Sequence, residues 1–333
     1  MKAYLVEKFG SWKNLKLKEI DDPKLQRGYA KIKTHFIGLN FADLMQREGV
    51  YPRTPKKPFI PGLEGSGVVE DIGEGLDKNF IGKRVLAFPI FGSHSEYVFT
   101  EKFIEIPKEM GLDEASALGV QGLTSIYALK KLGRPEEGES LLITASAGGV
   151  GSLLIQLGKY LKLKVYGLCG SKEKVEFSYK IGADFVLNYN EKNWYDKIKN
   201  KNFDIIIDSV GGLLMKKLYP LLNQGGRYII YGFSSAVSKK FNFLKAIYQL
   251  TRMPIFHPFK LISANKTISG FNLSLIDNVE NLKKEIQEAF FLWEKGVLKP
   301  HILKIYSFED LPLAHKQMQE RNSIGKIIIR SSS

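Results

Sequence analysis

Cysteine is almost absent, Cys169 being the sole thiol in 333 residues. One thiol excludes an internal disulfide framework and any metal centre built from several thiolates. Histidine is sparse too: His35, His94, His257, His301 and His315 are scattered, without the spacing that sets two imidazoles on one helical turn. Metal catalysis is disfavoured on both counts. No run of about eighteen uncharged apolar residues occurs, so no membrane-spanning helix is expected. Met1 to Val6 reads as a strand, with neither the apolar block nor the small-residue cleavage site of a secretory signal, and a cytoplasmic location is expected. Internal repeats are lacking, and the only low-complexity tract is the serine tail at Ser331 to Ser333.

Acidic residues are in deficit, 35 against 49 Lys and Arg, which leaves a formal charge of +14. The balance favours anionic partners: nucleic acid, phospholipid headgroups or a phosphorylated cofactor. Lysines spread through most segments instead of forming one basic tract with interleaved aromatics, which describes a solvated surface and counts against nucleic acid. With 44% hydrophobic and 25% charged residues the chain is globular, and its length suggests two domains.

The first third has many glycines and short alternating strands, such as Ala30 to His35, Gly67 to Ile72 and Arg84 to Phe88. From about residue 120 buried strands alternate with amphipathic helices, the pattern of a parallel α/β sheet. Strands are predicted at Ser140 to Thr144, Lys164 to Leu168, Phe185 to Asn188, Phe203 to Asp208 and Arg227 to Tyr231. Helices are predicted at Gly149 to Lys162, Lys172 to Ile181, Trp194 to Asn200 and Leu213 to Leu222. Right-handed crossovers then give a doubly wound Rossmann sheet with its ligand crevice at the carboxyl ends of the strands. Ser238 to Ser263 is dense in aromatic, aliphatic and basic residues and fits neither period. Beyond it, a strand at Thr267 to Phe271, a helix at Val279 to Lys295 and a strand at Ile324 to Ile329 follow. The expected domains are 1–120 with 267–333, β-rich, and 121–266, nucleotide-binding.

The segment from Leu141 to Gly151 is a buried strand running into a glycine turn and a helix, which presents free backbone N–H groups and a positive helix end to a pyrophosphate. Ser146, Gly148 and Gly151 hold the three fingerprint positions, with Gly149 and Val150 between them, and Ser146 replaces the first glycine. A mere tight turn is the plainer alternative. The second strand ends without the acid that would bind a ribose 2′-hydroxyl, whereas Ser171, Lys172 and Lys174 offer donors suited to a 2′-phosphate. NADPH is therefore the expected cofactor, the alternative being that both lysines are solvated.

Gly38-Leu39-Asn40-Phe41-Ala42-Asp43, Arg47, Gly49, Tyr51, Pro61 to Val69, Gly73, Gly82 to Val85, Ala147 to Gly151, Asp208 to Gly212, Lys299 to His301 and Gly325-Lys326 resemble the signature of zinc-independent quinone oxidoreductases. These are medium-chain dehydrogenase/reductases, and the resemblance covers essentially the whole chain. Asn40 to Tyr51, Asn242 to Leu250 and Lys299 to His301 most resemble the homologues of the synaptic-vesicle amine-transport protein, described both as reductase-like and as membrane or lipid associated. The resemblance implies a GroES-like fold for the β-rich domain. In the zinc alcohol dehydrogenases of the superfamily, ligands would stand at Asn40, Leu63 and Gln121, and Glu64 matches a zinc-adjacent glutamate. Without a Lewis acid, reduction of an already electrophilic quinone or conjugated carbonyl is the better match than alcohol oxidation.

The expected reaction is NADPH-dependent hydride transfer in a cleft between the domains, the protein positioning the reactants and stabilising developing enolate charge. Asn40 and Tyr51 are the candidate catalytic donors to the substrate oxygen, and Met45 stands where bacterial members carry a second active-site tyrosine. Asn40 also reads as a helix N-cap, Tyr51 as a packed loop aromatic, Glu64 as structural, and Asp43 with Arg47 as a helix-surface ion pair. The resemblance places Gln121 and Thr124 near the nicotinamide, Tyr189 near the adenosine phosphate, Gly232 and Phe271 along the cleft, and Arg321 and Lys326 near the cofactor, with Val210 also a cofactor-binding candidate. A homodimer joined at the edge of the nucleotide sheet is expected. The rival reading is an NADPH-binding protein with little turnover whose Ser238 to Ser263 segment meets lipid, a membrane or a partner.

Overall fold

In the computed structural model, which describes residues 1–236, 248–249, 251–276 and 279–331, the chain divides into two units. One takes in Met1–Val120 and Pro300–Ser333, the other Gln121–Ser238 and Asn242–Lys299. The chain therefore returns to the first unit at residue 300, later than the expected 267.

In the first unit, β1 (Lys2–Val6) and β2 (Leu15–Glu19) form an antiparallel pair. A seven-stranded sheet contains β3 (Ala30–Leu39), β4 (Gly65–Ile72), β5 (Arg84–Ala87), β6 (Tyr97–Thr100) and β7 (Phe103–Glu105), joined from far along the chain by β14 (Ile302–Tyr306) and β15 (Lys326–Arg330). β15 lies antiparallel to β3, with Ile327 opposite Leu39 and Ile329 opposite Ile37. Those four residues pack with Tyr4, Phe308 and Leu311 in one buried cluster. Helix α1 (Phe41–Glu48) follows β3 directly, and α2 (Leu112–Ile126) carries the unit boundary between Val120 and Gln121.

The second unit is a six-stranded, wholly parallel sheet in the order β10-β9-β8-β11-β12-β13. Its strands are β8 (Ser140–Thr144), β9 (Lys164–Cys169), β10 (Phe185–Asn188), β11 (Phe203–Asp208), β12 (Leu222–Ile230) and β13 (Thr267–Gly270). Numbered within the sheet this is 3-2-1-4-5-6, the Rossmann order. The central strands are apolar on both faces, as burial between helix layers requires: Leu141, Leu142, Ile143, Ile205, Ile206 and Ile207 are all at most 1% exposed. Helices α3 (Gly149–Tyr160), α4 (Lys172–Lys180) and α5 (Gly212–Leu218) supply crossovers. α6 (Pro258–Ala264), with proline at its start, and α7 (Val279–Glu294) complete the unit.

Three expectations are corrected. β13 pairs in parallel with β12, so 267–270 belongs to the nucleotide sheet and moves the second domain boundary past it. The helix predicted at Trp194 to Asn200 shrinks to a single 3₁₀ turn, Tyr195–Lys197. Trp194 and Ile198 are drawn into the core beside Phe203, while the asparagines at 193, 200 and 202 favour turns over helix. Asp43 and Arg47 form no surface pair, for both are fully buried. Much of the Ser238 to Ser263 segment, 238–247 and 250, lies outside the described residues, as do the last two serines.

Beneath α1 the first unit buries a polar cluster. The Arg47 guanidinium donates to Gly10 O at 2.8 Å, to Glu48 Oε1 at 2.9 Å and to Gln319 Oε1 at 2.9 Å, the last from α8 (Leu311–Gln319). His94 and His315 meet edge to face at 5.1 Å, both fully buried. Burial, followed by the charges of His94 and Arg47, holds the His315 imidazole well below its usual range. The folded ring is thus neutral while the unfolded ring takes up a proton below about pH 6.5. Stability should be full above that pH and fall as pH drops below it, by up to about 1.4 kcal/mol per pH unit for one proton. Thermal unfolding at pH 7.5 and 5.5 checks this: His315→Leu should reduce the acid loss, and an unchanged loss contradicts the assignment.

Candidate functional site

β8 ends at Thr144 and α3 begins at Gly149, so the chain reverses within Ala145 to Gly148. Ala145 adopts φ +50°, a left-handed conformation costly for a residue with a Cβ. The turn is this tight because Gly151 packs directly on it: a Cβ there would stand 2.4 Å from Ala145 O and 2.8 Å from Ser146 Cα. Gly149 is equally confined, since its Cβ would fall 2.1 Å from the Gln121 amide, so Gln121 lies across the first residue of α3. Gly148 is the N-cap at φ −77°. The result is an open helix start whose first-turn N–H groups, Val150 among them, have no intrahelical acceptor and favour an anion. It lies beside β8, flanked by β9 and β11, where a Rossmann sheet reverses its winding.

Ser146 serves this loop from below. Its hydroxyl is fully buried, 3.1 Å from Ser178 Oγ on α4, and a Cβ at Gly167 would approach it to 2.7 Å. The side chain is a packing element of the loop.

At the tip of β9, Ser171 caps α4, its Oγ accepting from the Lys174 N–H at 3.4 Å. The Tyr189 hydroxyl covers Gly170, where a Cβ would lie 2.7 Å from it. Burial pushes the Cys169 thiol up, opposed by Ser171 and by the Lys174 ammonium, while the Glu191 carboxylate acts in the same direction as burial. Lys172 points into solvent at 90% side-chain exposure, beside Glu176. No carboxylate stands on Cys169-Gly170-Ser171, and Glu191, beyond β10, is paired with Lys197 at 3.1 Å. Ser171, the first turn of α4 that carries Lys174, and Tyr189 thus meet at this tip, whereas the Lys172 side chain points away.

The carboxyl ends of β8, β11 and β12 are tied by Asp208, which is fully buried. It accepts from Thr144 Oγ1 and from the Val210 N–H, both at 2.8 Å, and from the Tyr228 hydroxyl at 2.8 Å. Burial and this carboxylate hold the Tyr228 phenol well above its usual range. A Cβ at Gly232 would lie 2.9 Å from Ser209 O, and Phe271 stacks on Tyr231 at 6.0 Å. Val210, Gly232 and Phe271 therefore stand at the ends of adjacent strands, while Gln121 and Thr124 are buried on α2. The Asp208 tie escaped the sequence reading, although an acid closing an apolar strand before two glycines was its signal.

In the first unit Asn40 is the N-cap of α1, and Asp43 accepts its backbone N–H at 2.8 Å. The Asn40 Nδ2 donates to Glu64 Oε1 at 2.7 Å and to Gly38 O at 3.1 Å, and Oδ1 accepts from Lys326 Nζ at 2.9 Å. Lys326 also pairs with Glu64 Oε1 at 2.5 Å, both side chains being at most 1% exposed. Glu64 Oε2 accepts the Val120 N–H at 2.7 Å. Two expectations change here. Asn40 is not a donor to a substrate oxygen, because both of its N–H groups are engaged. Lys326 stands inside the unit beside Asn40, whereas Arg321 is exposed at the end of α8 with φ +61°. Tyr51, in the turn after α1, is buried with its ring edge-on to Phe91 at 6.2 Å. A lysine set in the isoleucine-rich terminal strand signalled a buried charge in need of a partner, though not which partner.

The positions that would bind zinc offer little to a metal ion. Asn40 Oδ1 faces an ammonium, Leu63 has no donor atom and Gln121 lies over Gly149. Among the described residues no group of three or more His, Cys, Asp or Glu is placed to hold one.

A family model described as "Alcohol dehydrogenase GroES-like domain" matches residues 26–130, and one described as "Zinc-binding dehydrogenase" matches 181–329. The chain is 32% identical to the human synaptic vesicle membrane protein VAT-1 homolog, over 99% of its own length and 86% of the relative's. It is 29% identical to the rat quinone oxidoreductase, covering 99% and 97% of the two chains. Among solved structures, the Escherichia coli quinone oxidoreductase complexed with NADPH superimposes with a TM-score of 0.88 at 25% identity, covering 99% and 100%.

Proposed function

Because the chain belongs to the medium-chain dehydrogenase/reductase family, on the branch of quinone oxidoreductases and VAT-1 homologues, we propose that it reduces quinones or α,β-unsaturated carbonyls with NADPH, by direct hydride transfer and without zinc. The carrying observation is the tip of β9, where Ser171, the Lys174 turn and Tyr189 meet, no acid stands on Cys169-Gly170-Ser171 and Glu191 is paired with Lys197, next to the open start of α3. That combination suits a pyrophosphate on the helix and a 2′-phosphate on the strand tip. It agrees with the NADPH named for the E. coli structure. NADPH supplies the hydride. Gly148 to Gly151 would hold its pyrophosphate, and Val210, Gly232 and Phe271 would lie along the nucleotide. Arg321 is kept as an exposed cation for the cofactor, and Tyr51 is the candidate donor to the substrate oxygen. The donor set supports a reaction without zinc, and a quinone or enone is electrophilic without a Lewis acid.

β13 is an end strand of its sheet, and we take this edge to meet its twin across a two-fold axis. Light scattering at micromolar concentration should then report twice the 37.7 kDa chain mass, and a monomeric mass rejects the dimer.

A second reading is favoured by one observation. Ile255, Phe259 and Ile262 are 94%, 73% and 74% exposed, close to the exposed Arg252 and Lys260. Apolar and cationic side chains so mixed suit an anionic membrane surface. Among the described residues no helix is long and apolar enough to cross a membrane. Flotation with anionic liposomes, combined with no NADPH oxidation over ortho-quinones, para-quinones and alkenals, is the result that selects this reading over the reductase.

The cofactor assignment is tested at Lys174. A charge-assisted hydrogen bond contributes on the order of 1.5–3 kcal/mol, and a half-exposed one sits near the lower end. Lys174→Ala should weaken NADPH binding roughly tenfold and leave NADH binding nearly unchanged. Equal affinities of the wild type for the two cofactors, or equal losses in the variant, would falsify the assignment.

A further inference from the structure

The buried contact of Asn40, Glu64 and Lys326 has a chemical consequence for whatever Asn40 touches. A carboxamide offers two N–H donors and an oxygen with two lone pairs. Here both donors point inward, to Glu64 Oε1 and Gly38 O, and one lone pair takes the Lys326 ammonium. The reverse amide orientation is closed, because it would set the NH₂ against the ammonium and the oxygen against the carboxylate. The carboxylate has no room to move away. A Cβ at Gly38 would lie 2.4 Å from Ser116 O and 2.6 Å from Glu64 Oε1, and one at Gly119 would lie 2.3 Å from Glu64 Oε2, so bare backbone clasps the carboxylate on two sides. Asn40 itself keeps 8% exposure.

We propose that Lys326 and Glu64 are positioning residues that lock Asn40 as a hydrogen-bond acceptor, so that Asn40 recognises a hydroxyl on a bound ligand and never a carbonyl oxygen. The inference rests on the reductase reading only in its choice of ligands: the hydroxyl belongs either to the sugar of the cofactor or to the hydroquinone that quinone reduction yields. This role replaces donation by Asn40, and it explains why an ion pair is buried where an apolar pair of similar volume would be cheaper to desolvate.

Three variants test it by equilibrium titration, which needs no turnover: NADPH alone, and benzohydroquinone with NADP⁺ present. Asn40→Leu removes the acceptor and should weaken one of the two at least tenfold, the loss expected for one hydrogen bond of about 1.4 kcal/mol. The titration that responds identifies whose hydroxyl is bound. N40D/E64Q transfers the negative charge from residue 64 to residue 40, keeps Lys326 paired and leaves an acceptor without N–H donors, and should recover that titration to within about threefold of wild type. K326M/E64Q removes both charges together, which guards against an unpaired buried ion. It should retain the melting temperature to within a few degrees yet bind about threefold or more weakly, because the amide is free to turn. The proposal is overturned if N40D/E64Q binds as poorly as Asn40→Leu, if Asn40→Leu changes neither titration, or if K326M/E64Q binds like wild type. Failure of the reductase reading has a different signature: no NADPH oxidation with any quinone or enone while these affinities shift as stated.

Discussion

Backbone meets backbone at the start of α3, and the chemistry open to the nucleotide-binding unit follows from that contact. With no side chain at Gly151, the helix sits on the carbonyl of Ala145, and the strand must turn through a left-handed Ala145 to allow it. Such a conformation costs roughly 1–2 kcal/mol. It persists because its surroundings are fixed: Leu141, Leu142 and Ile143 on one side and Leu153, Leu154 and Ile155 on the other are all at most 1% exposed. A buried leucine or isoleucine contributes on the order of 1.5–3 kcal/mol, so two or three of them outweigh the strain. What results is a helix terminus that opens at the winding reversal of the sheet. Asp208 extends the same constraint sideways, because its buried carboxylate takes donors from β8, from β12 and from the loop after β11.

The first unit is organised by a different constraint, the pairing of buried charge. Arg47 is neutralised by Glu48 and held by Gln319, and Lys326 by Glu64. Buried ion pairs of this kind add little net stability over an apolar pair, yet leaving one member unpaired is costly, so they tie distant segments together in one arrangement. Both pairs converge on α1, Arg47 from its last turn and Lys326 through Asn40 at its cap. The placement of Asn40 is therefore set by side chains from both ends of the chain.

Local patterns were legible and distant partnerships were not. β8, β10 and β11 have the limits read from the sequence, because an apolar run bounded by turn residues is a local signal. The strand, glycine turn and helix at Ala145 to Gly151 were legible for the same reason, and so was the missing acid at the tip of β9. The orientation of Ser146 was not, since it depends on Ser178 and Gly167. Asp43 and Arg47 looked like helix-surface neighbours, but Arg47 is buried, pairs with the adjacent Glu48 and reaches Gln319 on α8, 272 positions away. Lys326 and Asn40, 286 positions apart, could be connected only by knowing that β15 lies antiparallel to β3. The return to the first unit was misplaced because strand periodicity at 267–270 does not reveal which sheet the strand joins.

Direct hydride transfer from NADPH to a conjugated acceptor is the reaction proposed for this protein. It is tested most directly by turnover of an α,β-unsaturated ketone with NADPH deuterated in turn at each of the two C4 positions, followed by mass spectrometry of the saturated product. One labelled form should deliver a single deuterium to the β-carbon, and the other none. Consumption of NADPH without label in the product, or no consumption with any enone or quinone, contradicts direct transfer.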